Sequence, residues 1–367
     1  MKRRTVLLAV PTALLAVSAA GAATSDSGVE SQRERIALAV TMTNDASSNE
    51  IKVYDAASLN LLQTLSTRGA GGASGNARGV RQHGGTLFAA VNNGSSSVAV
   101  YVRDGNRLRL DRVVSTTSAP VSIDFGNGHM YVAGATTVDS FILNGNHVGA
   151  RDGTTTLRLV GGQVPPAGST AQIGVVDDAS LLVTLKTDPT PGTVDTVALD
   201  QGAITGAPPA AVSAPAGTLT PFGFAVYPDR TAVITLAHSS QDGLFRDGAF
   251  TTVIAAGQAA PCWMTRSGKY LFTANTGSHT VSRLLGTGSN VFVDTPVAAT
   301  IGTGGAPSDI DADGGVMGVI DHGGGASHLS VFAMNELGEL SGGNAIDLAT
   351  PNANGIAIMS ADTGDDQ

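Results

Sequence analysis

The chain has 367 residues, of which 14% are charged and 4% aromatic, with 47 glycines and one cysteine. A formal net charge of −9 without any basic run leaves no electrostatic footprint for nucleic acid or an anionic membrane surface. A single cysteine, Cys262, excludes an intramolecular disulfide and a cysteine metal cage, so packing alone must hold the fold.

Met1 to Arg4 carries three positive charges, Thr5 to Gly21 is apolar apart from small hydroxyl residues, and Ala20-Gly21-Ala22 offers a small-x-small cleavage site. Residues 1–22 therefore read as a secretory signal peptide, too short for the ~20 apolar residues of a membrane span. The mature protein is expected outside the cytoplasm, secreted or periplasmic, with no integral membrane segment once the signal is removed. Residues 23–35 are expected to be a disordered N-terminal segment and residues 360–367 a disordered acidic tail.

From Ile36 onward one unit recurs: an apolar strand, a small polar loop and an alternating strand. It is loose in "IALAVTMTNDASSNEIKVY" and clear in "LFAAVNNGSSSVAVYV" from Leu87 and "MYVAGATTVDSFIL" from Met130. It returns in "LLVTLKTDPTPGTVDTVAL" from Leu181, "AVITLAHSSQDGLF" from Ala232, "YLFTANTGSHTVSRL" from Tyr270 and "VMGVIDHGGGASHLSVF" from Val316. A short strand behind a small or proline-bearing turn precedes each clear copy, as in "SAPVSID", "LTPFGFAV" and "AAPCWMT". Starts from Leu87 are spaced 43, 51, 51, 38 and 46 residues apart, the range of a four-stranded propeller blade. No sustained 3.6-residue apolar period follows the signal peptide. The fold class is all-β: a seven-bladed β-propeller of four-stranded antiparallel blades over residues 36–359. The strand "NGIAIM" begins a blade that "RIALAV" completes, closing the ring. One tryptophan in the chain argues against WD40 and kelch blades.

The segments "LRLDRVVSTTSAPVSI", "AQIGVVDDASLLVTLKT", "LTPFGFAVYPDR" and "AAPCWMTRSGKYLFTANTGSHTVS" resemble the lactonase-like seven-bladed propellers. That family includes 6-phosphogluconolactonase-like proteins and 3-carboxymuconate cyclases, and the likeness is to its extracytoplasmic branch. The resemblance runs through nearly the whole mature chain. It implies a carboxylate at the ends of the strands reading "VTLK" and "ITLA", where this chain has Leu185 and Leu236. The Pro-His pair of the sugar-lactone relatives is also replaced, by Arg78-Gly79, Pro120-Val121 and Pro307-Ser308.

A propeller gathers the loops between blades and the b–c loops on one face around its channel, where ligands bind. The repeat places Arg78, Asn92, Lys186, Phe222, His238, Trp263, Asn275, Asp309, Asp321 and His322 there. A neutral imidazole of His238 or His322 would move a proton, and Lys186 or Arg78 would hold a substrate carboxylate. Lys186, His238 and His322 are thus the catalytic candidates and the other seven the binding candidates. Cys262 lacks the base that a thiol nucleophile needs, and His279 is expected in solvent.

No cofactor or metal is expected. "DIDADG" from Asp309 has Ile320 where a calcium loop needs its glutamate, and no zinc or nucleotide motif occurs. "GAGGASGNARG" reads as a flexible loop without the lysine of a phosphate loop. The expected ligand is a small anionic organic acid or lactone at the channel mouth. Two functions fit: metal-free lactone hydrolysis or cycloisomerisation, or a non-catalytic extracellular binding or cell-surface propeller.

Overall fold

The computed structural model describes residues 35–187, 191–286 and 290–361. The expected signal peptide lies outside these, as do nearly all of segment 23–35 and of the tail 360–367.

Seven antiparallel sheets succeed one another along the chain. After the opening strands β1 (Leu38–Met42), β2 (Glu50–Asp55) and β3 (Leu61–Ser66), blade 2 holds β4 (Val80–His83), β5 (Leu87–Asn92), β6 (Ser97–Asp104) and β7 (Arg107–Ser115). Blade 3 holds β8 (Pro120–Gly126), β9 (His129–Gly134), β10 (Thr137–Asn144) and β11 (His147–Thr156). Blade 4 holds β12 (Thr170–Val175), β13 (Ser180–Leu185) and β14 (Thr193–Asp200); its outer edge is shared by the two-residue β15 (Ala203–Ile204) and β16 (Ala210–Ser213). Blade 5 comprises β17 (Pro221–Val226), β18 (Ala232–Leu236), β19 (Gln241–Arg246) and β20 (Ala249–Ala255). Blade 6 comprises β21 (Pro261–Ser267), β22 (Tyr270–Asn275), β23 (Thr280–Leu285) and β24 (Phe292–Thr300). Blade 7 comprises β25 (Ala306–Asp313), β26 (Val316–Gly323), β27 (Ala326–Met334) and β28 (Leu340–Asp347).

The last strand, β29 (Asn354–Met359), pairs with β1 in the register Leu38↔Met359 and Val40↔Ala357, completing blade 1 from both ends of the chain. The fold is thus a seven-bladed propeller with four-stranded antiparallel blades.

Burial follows position within the blade. Second strands such as "LFAAVN" and "YLFTAN" are buried along their whole length because a neighbouring blade covers each face. Outer strands such as β3 and β24 have no buried residue. Innermost strands have one edge without a ladder partner, and side chains of the preceding blade satisfy part of it. Asp124 Oδ2 accepts the Val175 N–H at 2.9 Å, Asp311 Oδ2 the Ile358 N–H at 2.9 Å, and Gln172 Oε1 the Phe224 N–H at 3.0 Å. Among the described residues no helix is long and apolar enough to cross a membrane.

Candidate functional site

The face carrying the inter-blade and b–c loops is organised by residues 67–79, which connect β3 to β4. This glycine-rich loop folds across the channel mouth and is bonded to blades on the far side. Gly72 and Ala73 donate their N–H groups to Asn44 Oδ1 at 2.8 and 2.9 Å. Lys186 of blade 4 donates to the Gly75 carbonyl, and Ala77 N–H to the Ala171 carbonyl at 3.0 Å. Trp263 of blade 6 donates Nε1–H to the Asn76 carbonyl at 2.9 Å. Asn76 reaches the Val121 carbonyl of blade 3 at 2.6 Å and forms a reciprocal amide pair with Asn354 of blade 1 at 3.3 and 3.1 Å. Gly75 has φ +56°, a left-handed conformation that favours glycine, and a Cβ there would meet Lys186 Nζ at 2.7 Å, so a side chain at this position would displace the lysine. The loop expected to be flexible is a bonded cover.

Beneath it the channel holds charge that is paired internally. Arg78 has φ +56° and turns its guanidinium inward to Asp124 at 3.4 Å. Arg81 bridges the channel, with Nε 3.0 Å from Asp124 Oδ1 and Nη1 3.3 Å from Asp311 Oδ1. Burial, then the like charge of Arg81, bring the Arg78 guanidinium down to about 10 against the pull of Asp124. Burial opposes the charge of Asp124, but Arg78 and Arg81 outweigh it and hold this carboxyl below its usual range. Asp309 is pushed up to about 7 by burial, with a further push from Asp311 that Arg78 only partly offsets.

Beside the covered mouth opens a cleft of about 580 Å³, whose polar and aromatic lining is Asn44, Ser74, Asn76, Trp263, Ser308, His322, Asn352 and Asn354, the rest being small residues and Pro351. His322 is its one titratable side chain. Ser327 Oγ, which accepts the Ala353 N–H at 3.1 Å, lies 2.9 Å from His322 Nδ1. Pro351 supplies a backbone hydrogen bond to the same ring. The ring thus has Ser327 at Nδ1 and the Pro351 carbonyl as an acceptor. Burial lowers the pKa of His322, so the ring is neutral at pH 7. Two further clefts, about 460 and 300 Å³, open on the opposite face near Tyr270 and between Leu182 and Phe245.

Of the residues selected from the sequence, Trp263 and His322 share the cleft. Lys186 and Phe222 stand behind it: Lys186 Nζ is 5.6 Å from the Phe222 ring centre, and that ring meets Trp263 edge-on at 5.2 Å. Burial lowers Lys186 to about 8. Arg78 and Asp309 lie in the channel. Asn92 is fully buried and ties Asn49, Thr67 and Ser97 together, while Asn275 is buried against Thr280 and Ser282. His238 sits on a short 3-10 turn, its Nδ1 3.0 Å from Thr220 Oγ1. Asp321 accepts Thr303 Oγ1 at 2.7 Å and pairs with His328 at 3.0 Å.

His279 does not simply lie in solvent, since its Nδ1 is 2.9 Å from the Gly305 carbonyl. Cys262 is partly exposed, and burial raises its thiol against a hydrogen bond from Thr276, which disfavours a thiolate. Leu185 and Leu236 are fully buried. The sequence reading missed Asn76, Asn354, Asn44 and Ser308; an available signal was the pair of asparagines flanked by small residues in "GNARG" and "PNANG". Among the described residues no three His, Cys, Asp or Glu side chains gather as a metal centre.

No family model matches the chain, and no curated protein matches it in sequence. Solved structures do match in fold. A Lactobacillus plantarum protein superposes with TM-score 0.63 at 15% identity, covering 88% of this chain and 99% of that one. A putative 6-phosphogluconolactonase from Bacteroides fragilis gives 0.58 at 13%, covering 90% and 99%. A catalytically inactive virginiamycin B lyase from Staphylococcus aureus with quinupristin gives 0.53 at 16%, covering 74% and 84%. At these identities the likeness shows the fold, a seven-bladed propeller.

Proposed function

We propose that this chain is an exported lactonase-like propeller that binds a small uncharged polar molecule, a lactone or a compound of similar polarity, in the cleft beside Trp263 without turning it over. The observation that carries this reading is the lining: amides, two serines, an indole and a neutral histidine, with no charged side chain. A bound carboxylate or phosphate would shed its hydration there without meeting a cation, at a cost of several kcal/mol. The anionic acid suggested by the sequence is the poorer fit, because Arg78 is spent on Asp124 and Lys186 on the Gly75 carbonyl. The phosphate in the name 6-phosphogluconolactonase would be equally unmatched. Hydrolysis needs a base aimed at the ligand, and His322 is bonded instead to Ser327 and the Pro351 carbonyl. Export rests on the reading of residues 1–22.

Calorimetric titration with a neutral δ-lactone and with its open hydroxy acid tests the proposal. The lactone should bind, the acid should not, and Trp263→Ala should weaken binding at least tenfold. Tighter binding of the acid, lost in Lys186→Met, would reverse the assignment.

A further inference from the structure

A second site is marked by a break in the repeat between blades 5 and 6. One rung below the top of each blade, the third strand turns a side chain toward the next blade. Six of these residues are aliphatic: Ile51, Val98, Val138, Val194, Val281 and Leu329, paired with Met42, Val91, Ala133, Thr184, Ala274 and Ile320. In blade 5 the residue is Asp242, paired with Thr235. It is fully buried, and neither carboxylate oxygen has a hydrogen-bond partner.

The opposing surface of blade 6 is polar at the same level. Val233 and Leu244, two residues along on the Asp242 face, pack against Leu271 and Leu284. The next rungs of blade 6 on that face are Thr273↔Ser282 and Asn275↔Thr280. Thr235 confirms the contact by donating to the Cys262 carbonyl of blade 6 at 2.9 Å. Thr273 and Asn275 are also buried, and Thr273 Oγ1 and Asn275 Oδ1 have no partner. The Asn275 amide nitrogen is engaged with Ser282 and Thr280.

The registers therefore set three unpartnered acceptor oxygens and one hydroxyl on facing surfaces of the same seam between blades, with no hydrogen bond joining them. Such a surplus calls for a positive charge or for added protons, and its donors are all hard oxygens. We propose that a monovalent metal cation, sodium or potassium, binds between blades 5 and 6 through the Asp242 carboxylate, Asn275 Oδ1 and Thr273 Oγ1. One carboxylate balances one charge. A divalent ion would leave a net positive charge buried in a site with a single acid. The cation competes with a proton, because burial alone raises the Asp242 carboxyl to about 7.

The test is thermal melting of the full chain in sodium, potassium or choline chloride at equal ionic strength. At pH 8 the wild type should melt about 2–4 °C higher in sodium or potassium than in choline, by preferential binding to the folded state. At pH 5 the difference should vanish, because protons then occupy the carboxyl. Asp242→Asn should show no difference at either pH, and Thr273→Val a smaller one at pH 8. Equal wild-type melting in all three salts overturns the proposal, as does a shift that persists in Asp242→Asn. A response to calcium alone overturns the monovalent assignment. Should Asp242→Asn fail to fold, a wild-type shift undiminished at pH 5 would overturn the site by itself.

Discussion

Trp263 Nε1–H donates to the Asn76 carbonyl at 2.9 Å, joining residues 187 positions apart and fastening the loop over the channel to blade 6. The indole thus serves both as cleft wall and as loop anchor, and substitution can separate the two roles. Trp263→Phe keeps an aromatic wall and removes the donor, leaving a carbonyl unsatisfied. The expected loss is about 1–3 kcal/mol, with faster hydrogen exchange confined to residues 72–78. Unchanged exchange in that segment would show that the bond does not hold the cover.

Arg81 ties blades 2, 3 and 7 through Asp124 and Asp311. Arg81→Met should cost about 3–5 kcal/mol in chemical denaturation, because it leaves buried carboxylates short of a counter-charge. Adding Asp311→Asn should recover part of the loss. A single variant as stable as wild type would mean that the cross-channel bridge contributes nothing net.

Three carboxyls, Asp195, Asp242 and Asp309, are pushed up to about 7, in each case chiefly by burial. Between the unfolded value near 3.8 and about 7 the folded chain holds more protons than the unfolded chain, so these groups make stability fall as pH rises. His83 and His322, both lowered chiefly by burial, act in the opposite sense below 6.5, but they are two groups against three. Asp124, held low by its arginines, loses its contribution only as pH falls below about 3.8. Melting temperature at fixed ionic strength in choline chloride should therefore decline by a few degrees from pH 5 to pH 8. Asp195→Asn should flatten part of the slope. A steady rise over that range would refute the burial account.

Leu185 and Leu236 occupy the strand ends where the resemblance implies acids, yet both side chains are fully buried. Leu236→Glu should lower stability by roughly 3–5 kcal/mol without creating lactone turnover, since the added charge enters the core and not the cleft. Measurable hydrolysis by a folded Leu236→Glu protein would show that this position does face a ligand.

The blade count, the strand order and the closure by "NGIAIM" and "RIALAV" were legible in the sequence. Each blade is specified by local alternation and turn chemistry, repeated at a spacing that the chain prints directly. Trp263 and His322 were legible as rim residues for the same reason, since the repeat fixes the ends of their strands. The course of residues 67–79 was not. Glycines grant a loop freedom without naming its destination, and this one is fixed by Lys186, Trp263 and Asn354, which only ring closure brings to the mouth. Arg78 shows the same limit: its position in the repeat put it near the channel, but the Asp124 carboxylate of the neighbouring blade turned the side chain inward. Sequence sets what repeats along the chain. Closure of the ring decides which side chains from distant repeats meet, and therefore which charges are spent inside the scaffold and which surfaces remain for a ligand.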